Sequence, residues 1–333
     1  MTRYFFIFLF SIILVSPVFS TSLSNITLPV ETTFHRGERI FSIATEKDES
    51  YVFFGSESGL IMYNENKLKR IFSETDGLTG EFIKTLVFID NVLYGSSFSL
   101  IGKSCLFSYS KANGLMVWPE NKTGIINITS ILKNKDTLLL TTFDGEIWDF
   151  NPKDKKSKKL YKNKDYNIVG ATKFGNNIFL ACKYTGIISM EADDKTIINY
   201  NSFKEYNEHS SHLINNNITC ICADKNGLWV GSQSGGSYFK VAENTWDNFW
   251  GKELSDDFVS SIFPDGNHIW FGTGNGVSLL QRSDNKWCTF NINNGLNGKI
   301  ILSITASDKS IFIASEQGVF KIDKNTIYKK MKN

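Results

Sequence analysis

Short apolar runs of strand length alternate along the chain with polar stretches that close on glycine. Runs of this length bounded by Gly, Asn, Asp and Ser predict β-strands joined by tight turns. Four segments show one design: Ser50-Tyr-Val-Phe-Phe-Gly-Ser-Glu-Ser-Gly59, Gly227-Leu-Trp-Val-Gly-Ser-Gln-Ser-Gly-Gly236, His268-Ile-Trp-Phe-Gly-Thr-Gly-Asn-Gly276 and Ser310-Ile-Phe-Ile-Ala-Ser-Glu-Gln-Gly318. In each, an apolar strand meets a small residue and then a polar turn ending in glycine. The large residue two places before the small one serves as an anchor.

The anchors are Phe53, Leu93, Leu139, Phe179, Trp229, Trp270 and Phe312, at intervals of 40, 46, 40, 50, 41 and 42 residues. A period in this range, with several short strands per repeat, predicts an all-β, seven-bladed β-propeller of four-stranded antiparallel blades. The strands of a blade are named a to d, from the channel outward. In the fifth repeat they fall at Ile218–Ala223, Leu228–Ser232, Ser237–Val241 and Thr245–Trp250. In the sixth they fall at Val259–Phe263, Ile269–Gly272, Val277–Gln281 and Lys286–Asn291. Glycines six or seven residues after most anchors (Gly59, Gly145, Gly186, Gly235 or Gly236, Gly276, Gly318) supply the positive φ that a tight strand-to-strand turn requires. Gly102, nine residues after Leu93, marks an insertion in the second repeat. Two segments compete for the outer strand of the last blade: Ile26–Phe34, which is favoured, and Thr326–Lys330. Pro29 is compatible with such an edge strand.

The N-terminus departs from this pattern. Arg3 precedes an almost unbroken apolar run from Tyr4 to Val15, and Val18 and Ser20 suit cleavage after Ser20. This is the layout of a secretory signal peptide, and the run is too short for a stable membrane span. Residues 1–20 are therefore expected to be a signal peptide and residues 21–333 one propeller domain. The product is expected to be secreted or periplasmic and monomeric. The chain has 36 basic and 34 acidic residues, a net charge of +2, which gives no footprint for nucleic acid. The five cysteines are scattered, and their pairing is not assignable from sequence.

The segment Asp265-Gly-Asn-His-Ile-Trp-Phe-Gly-Thr-Gly-Asn-Gly-Val277, followed by Lys286-Trp-Cys-Thr-Phe-Asn-Ile-Asn-Asn-Gly-Leu-Asn-Gly298, resembles the two-component regulator propeller repeat. Asp76-Gly-Leu-Thr-Gly80 repeats its link between blades. The resemblance implies a scaffold used in periplasmic sensor regions that recognise polysaccharide fragments. With no second span and no kinase-sized remainder beside the repeats, the expectation is a free-standing exported propeller that binds a ligand.

No nucleophile–base set, Gly-x-Ser-x-Gly elbow or phosphate-cradling loop is present, and no cofactor or metal is expected. Propellers place their b–c turns and d–a links on one face. The candidate ligand-binding residues are therefore those of the b–c turns: Phe143, Asp144, Lys183, Tyr184, Gln233, Ser234, Thr273, Asn275, Glu316 and Gln317. They combine polar groups with aromatic surface, a mix suited to a glycan or protein partner. The longest link, Asn201–Asn216, falls on the same face and holds Glu208, His209 and His212, read as solvated rather than metal-binding. The lysine-rich stretch Asn151–Asp165 is placed on the opposite face as a solvated hairpin. Sequons at Asn25, Asn121, Asn127 and Asn217 matter only if the source glycosylates. The alternative to a binding or scaffold protein is a propeller enzyme such as a metal-assisted polysaccharide lyase.

Overall fold

The computed structural model describes residues 21–22, 26–80, 82–99, 102–192 and 198–332. The apolar N-terminal segment, its cleavage point and Asn25 lie outside the described residues. The remainder forms seven sheets, each an antiparallel a–b–c–d meander. Blade 1 runs Ile40–Thr45, Val52–Ser56, Gly59–Asn64 and Lys67–Phe72; blade 2 runs Phe82–Ile89, Val92–Phe98, Ser104–Ser110 and Gly114–Pro119. Blade 3 comprises Ile128–Asn134, Thr137–Thr142, Glu146–Asn151 and Lys156–Lys162; blade 4 comprises Asn167–Phe174, Asn177–Lys183, Gly186–Ala192 and Ile198–Tyr206. Blade 5 is Ile218–Ala223, Gly227–Ser232, Gly235–Lys240 and Thr245–Phe249; blade 6 is Val259–Asp265, His268–Thr273, Gly276–Gln281 and Lys286–Phe290. Blade 7 has Ile301–Ala306, Ser310–Ser315 and Gly318–Asp323. Each strand a touches strand a of the blade before and after it, so the seven inner strands enclose the channel.

Closure follows the favoured expectation. Val30–Phe34 pairs antiparallel with Gly318–Asp323 as the outer strand of blade 7. The competing segment is not a strand. Residues Lys324–Lys332 form a helix that buries Ile327 and Met331. Its Tyr328 hydroxyl donates to Asp265 at 2.6 Å and receives the Trp270 indole N–H at 3.1 Å, so the helix is committed to blade 6. Thr21–Ser22 adds a short parallel pairing beside Lys286–Trp287.

The core is divided among the junctions. There are seven buried apolar clusters among the described residues, each spanning one pair of neighbouring blades. Phe53, Leu139, Phe179, Trp229, Trp270 and Phe312 are all at most 1% exposed. Each such burial contributes about 1.5–3 kcal/mol, and an isolated blade would leave its faces open.

Strand register corrects one anchor. In six blades the anchor pairs with the residue four places after the first buried aliphatic of strand a, as in Phe53 opposite Ala44 and Trp229 opposite Cys222. In blade 2 the equivalent pair is Tyr94 opposite Val87, and Leu93 lies one place early. The motif Val-Leu-Tyr-Gly makes Gly95 look like the small residue, but the space beside Gly95 is filled by the Phe107 ring and Leu86. Ser96 takes the small position, and its hydroxyl donates to the Ile128 carbonyl at 3.2 Å across the junction. Ser42 does the same to Ile83 at 3.0 Å.

All seven strands a carry a bulge directly after their first buried aliphatic residue. That aliphatic lies against the small residue of the preceding blade. A Cβ on Gly231 would stand 2.8 Å from Val259 Cγ1, and one on Gly272 would stand 2.6 Å from Ile301 Cγ2. The turn glycine that opens strand c fits a second slot. Gly235 has φ +139°, and its Cβ would lie 2.5 Å from the Phe249 carbonyl that ends strand d. In blade 7 the same slot at Gly318 is filled by the carbonyl of Phe34, which holds the closing strand in register.

Two outcomes follow for stability. Gly272→Val should lose about 3 kcal/mol in urea unfolding, because the junction is already in contact. Gly266→Asn should stay within about 0.5 kcal/mol, since φ +64° suits Asn and nothing lies within 4 Å. His268 gives a pH dependence. Burial holds its pKa below 6.5, against the upward pull of Asp265, Gln281 and Asp284 and with the help of Lys332. Its ring stacks on Tyr328 at 3.7 Å. The unfolded chain therefore binds this proton first, and stability present above pH 6.5 should fall as pH drops toward the lower folded value. The urea midpoint should decline in that window, and His268→Phe should flatten the decline.

Candidate functional site

The b–c turns and d–a links share one face, and hydrogen bonds between them fix their order. The backbone N–H groups of Phe143, Gln233 and Gly274, each in a b–c turn, donate to Asn127, Asn217 and Phe258, each the residue before its own strand a. Gly186 and Gly276 reach onward to Asn216 and Lys299 in the link to the next blade, at 3.0 and 2.7 Å. The turns are locally determined. The hydroxyls of Ser56, Ser232, Thr273 and Ser315, each ending strand b, donate to the carbonyl of the glycine three residues on.

That geometry sorts the residues expected to bind. Phe143, Asp144, Tyr184, Gln233, Ser234 and Gln317 are exposed, and Lys183 and Asn275 are half-buried. Tyr184 is the most open aromatic among the described residues, at 63%. Asp144 accepts the Asn127 side-chain amide at 3.0 Å. Thr273 does not join them, since it is fully buried and its hydroxyl closes its own turn. Glu316 is held as a staple: its two carboxylate oxygens accept the N–H groups of Lys299 and Ile300, both at 2.9 Å.

The link expected at Asn201–Asn216 is shorter than the sequence suggests. The outer strand of blade 4 continues to Tyr206, whose buried ring packs on Phe239 at 4.9 Å. Within the link, Glu208 and Asn216 exchange backbone and side-chain hydrogen bonds at 2.8 and 2.9 Å, while His209 and His212 are exposed. Among the described residues no three His, Cys, Asp or Glu side chains come together as a metal site. None of the five cysteines forms a disulfide, and burial pushes the thiols of Cys182, Cys220 and Cys288 up to about 12.

The links carry apolar surface that sequence reasoning missed. Ile126, Trp250, Phe258, Ile292 and Ile300 are exposed there, with Trp250 at 57%. Among the described residues, seven of the nine exposed large hydrophobics, these five with Phe143 and Tyr184, lie on this face. Phe258 and Ile300 directly precede the first aliphatic of a strand a, a position with a readable signal: apolar residues where a solvated link would be polar. At the channel mouth Lys84 occupies the bulge of its strand, its ammonium 4.4 Å from the Phe98 ring centroid. Burial lowers its pKa. Between blades 2 and 3 Lys84, Phe98, Asn127, Thr129 and Phe143 line a cavity of about 300 Å³.

Residues 212–234, from the end of this link through strand b of blade 5, match the family model described as two component regulator propeller. One stretch of the chain thus matches the two-component regulator propeller repeat. Of the solved structures similar to this propeller, one is the extracellular domain of BT3049 from B. thetaiotaomicron, named as a hybrid two component system. It is 18% identical with a TM-score of 0.64 over 85% of this chain. The present chain spans 40% of that chain's length. The WD40 beta propeller domain of Doa1 is 11% identical with a TM-score of 0.65, covering 89% of this chain and 96% of its own. The computationally designed Ika8 protein is 11% identical with a TM-score of 0.57, covering 90% and 99%. At these identities the likeness is one of fold. No curated protein sequence matches the chain. No described helix is long and apolar enough to cross a membrane.

Proposed function

We propose that this two-component regulator propeller is an exported, non-enzymatic binding protein whose b–c and d–a face takes a ligand, a glycan foremost. The observation that carries this is the gathering of exposed apolar side chains on one face, with amides and charges between them. A soluble surface seldom groups such residues without a partner, and propeller loops on a rigid ring can present them without rearrangement. Aromatic rings give a sugar's apolar face a platform, and Asn127, Gln233, Asn275 and Gln317 offer its hydroxyls both donors and acceptors. The extracellular placement of the BT3049 domain supports the envelope reading.

Two experiments test this. Protein recovered from the envelope or medium should have Thr21 as its first residue on N-terminal sequencing, and an intact Met1 would sink the export reading. A glycan array followed by calorimetry should find a ligand whose Kd rises about tenfold in Phe143→Ala and in Tyr184→Ala. Equal binding by both variants would remove this face from the assignment, and a protein partner with no glycan would replace the ligand class.

A further inference from the structure

The junction between blades 2 and 3, on the face opposite the b–c turns, is built differently from three of its equivalents. At those three a cation just after strand c of the later blade reaches the a–b region of the earlier one and helps close the gap. Lys111 meets Glu46 at 3.3 Å and lies over Tyr51; Arg282 meets Asp224 at 2.8 Å and lies over Trp229 and Tyr238; Lys324 meets Asp265 at 3.0 Å. The matching parts between blades 2 and 3 are Asp90, the anchor Tyr94, and the turn lysines Lys153 and Lys155. Here the cross-junction ion pair comes from strand a instead: Lys133 of blade 3 meets Asp90 at 2.6 Å, and the turn lysines Lys153 and Lys155 are left with no ion-pair partner among the described residues.

What remains is a cleft of about 660 Å³. Its apolar wall is Tyr94, Met116, Trp118 and Leu138, and its rim carries Lys135, Lys153 and Lys155 beside the single carboxylate of Asp136, with Asp90 taken up by Lys133. Tyr94 is half-buried where the other six anchors are fully buried, and its hydroxyl has no hydrogen-bond partner among the described residues. Burial and the nearby Asp90 raise its pKa, so it remains a neutral donor. Rim and wall thus ask for different chemistry: carboxylates outside and a bulky apolar group inside.

We propose that this cleft seats an acidic peptide segment of a partner protein, with one aromatic or large aliphatic side chain against Tyr94, Met116 and Leu138 and its carboxylates on the three rim lysines. Charge complementarity selects the acidic partner, and the apolar wall selects a peptide over a sulfated or phosphorylated polymer, which needs only exposed cations. The site is separate from the proposed ligand face, so either assignment can fail alone.

The test is a fluorescence anisotropy titration with a short fluorescein-labelled peptide of alternating Asp and Glu around one Phe. It should bind saturably, more weakly as salt is raised. Replacing its Phe by Ala, or using protein with Lys153→Glu and Lys155→Glu together, should each weaken binding at least about tenfold. Ser110→Trp, which fills the cleft, should do likewise, with thermal unfolding confirming that it folds. Lys158→Glu, on the neighbouring outer strand, should leave binding unchanged. No binding of the parent peptide, equal binding of its Ala version, or an equal loss in Lys158→Glu would overturn the proposal, the last two by revealing diffuse polyanion attraction.

Discussion

The ring depends on one contact made at successive junctions: a small residue on strand b receives the first aliphatic residue of the next strand a. Gly55 receives Ile83, Gly231 receives Val259 and Gly272 receives Ile301. The bulge that follows each aliphatic turns the inner strand to follow the channel, and a side-chain hydroxyl beside it reaches the next blade. Thr219 donates to the Val259 carbonyl and Ser260 to the Ile301 carbonyl. Sterics and polar satisfaction therefore act at the same place. A larger residue there would push blades apart and also break the hydrogen bond that aligns them. Since Phe34, Phe312 and Ala314 share a buried cluster with Ile40 and Phe54, the closing junction uses the same kind of packing as the others.

Much of this was legible because the physical demand repeats. An aromatic or branched anchor, a small residue two places on and a glycine at positive φ recur for one reason each, so Trp229, Trp270 and Phe312 could be placed from pattern alone. Blade 2 was misread by one residue because glycine is the expected small residue, and there serine has the position while glycine yields space to Phe107. The closing strand was legible because propellers commonly close by pairing their first and last segments; it is shorter than the expected Ile26–Phe34, starting at Val30 just after Pro29. The fate of residues 324–332 was not, because a short segment mixing Ile327, Tyr328 and Met331 with lysines satisfies either a strand or a helix. What decides it is Tyr328, whose hydroxyl finds Asp265 and Trp270, groups distant in sequence.

The candidate face was legible as topology and only in part as chemistry. Alternation of a, b, c and d places every b–c turn with every d–a link, so Phe143 and Tyr184 were assigned to a common surface. Trp250, Phe258 and Ile300 were not: links have no period, and the apolar character of Phe258 and Ile300 next to a strand reads as part of that strand rather than as exposed surface. Thr273 reads as a polar turn residue, yet its hydroxyl is needed by Gly276. A turn that satisfies its own backbone has fewer polar groups to offer a ligand, which shifts the weight of recognition toward the exposed rings and the amides.

Departures from the repeat carry more functional information than the repeat itself. Seven equivalent junctions under one steric rule should look alike, and some differences between them are substitutions that keep the same contact, as when Arg282 stands where Lys111 stands. Two departures leave chemistry exposed. Lys84 occupies a bulge position held elsewhere by Phe41, Thr129, Val169, Thr219, Ser260 or Leu302, bringing a partly desolvated charge to the channel mouth. Tyr94 occupies an anchor position without the burial that anchors otherwise obtain. Both belong to blade 2, and both face blade 3. An anchor left half-open forgoes part of the roughly 1.5–3 kcal/mol that full burial contributes. A ring that closes through seven junctions can tolerate that loss at one of them, and the surface so released is where specificity can be added without disturbing the rule that holds the ring together.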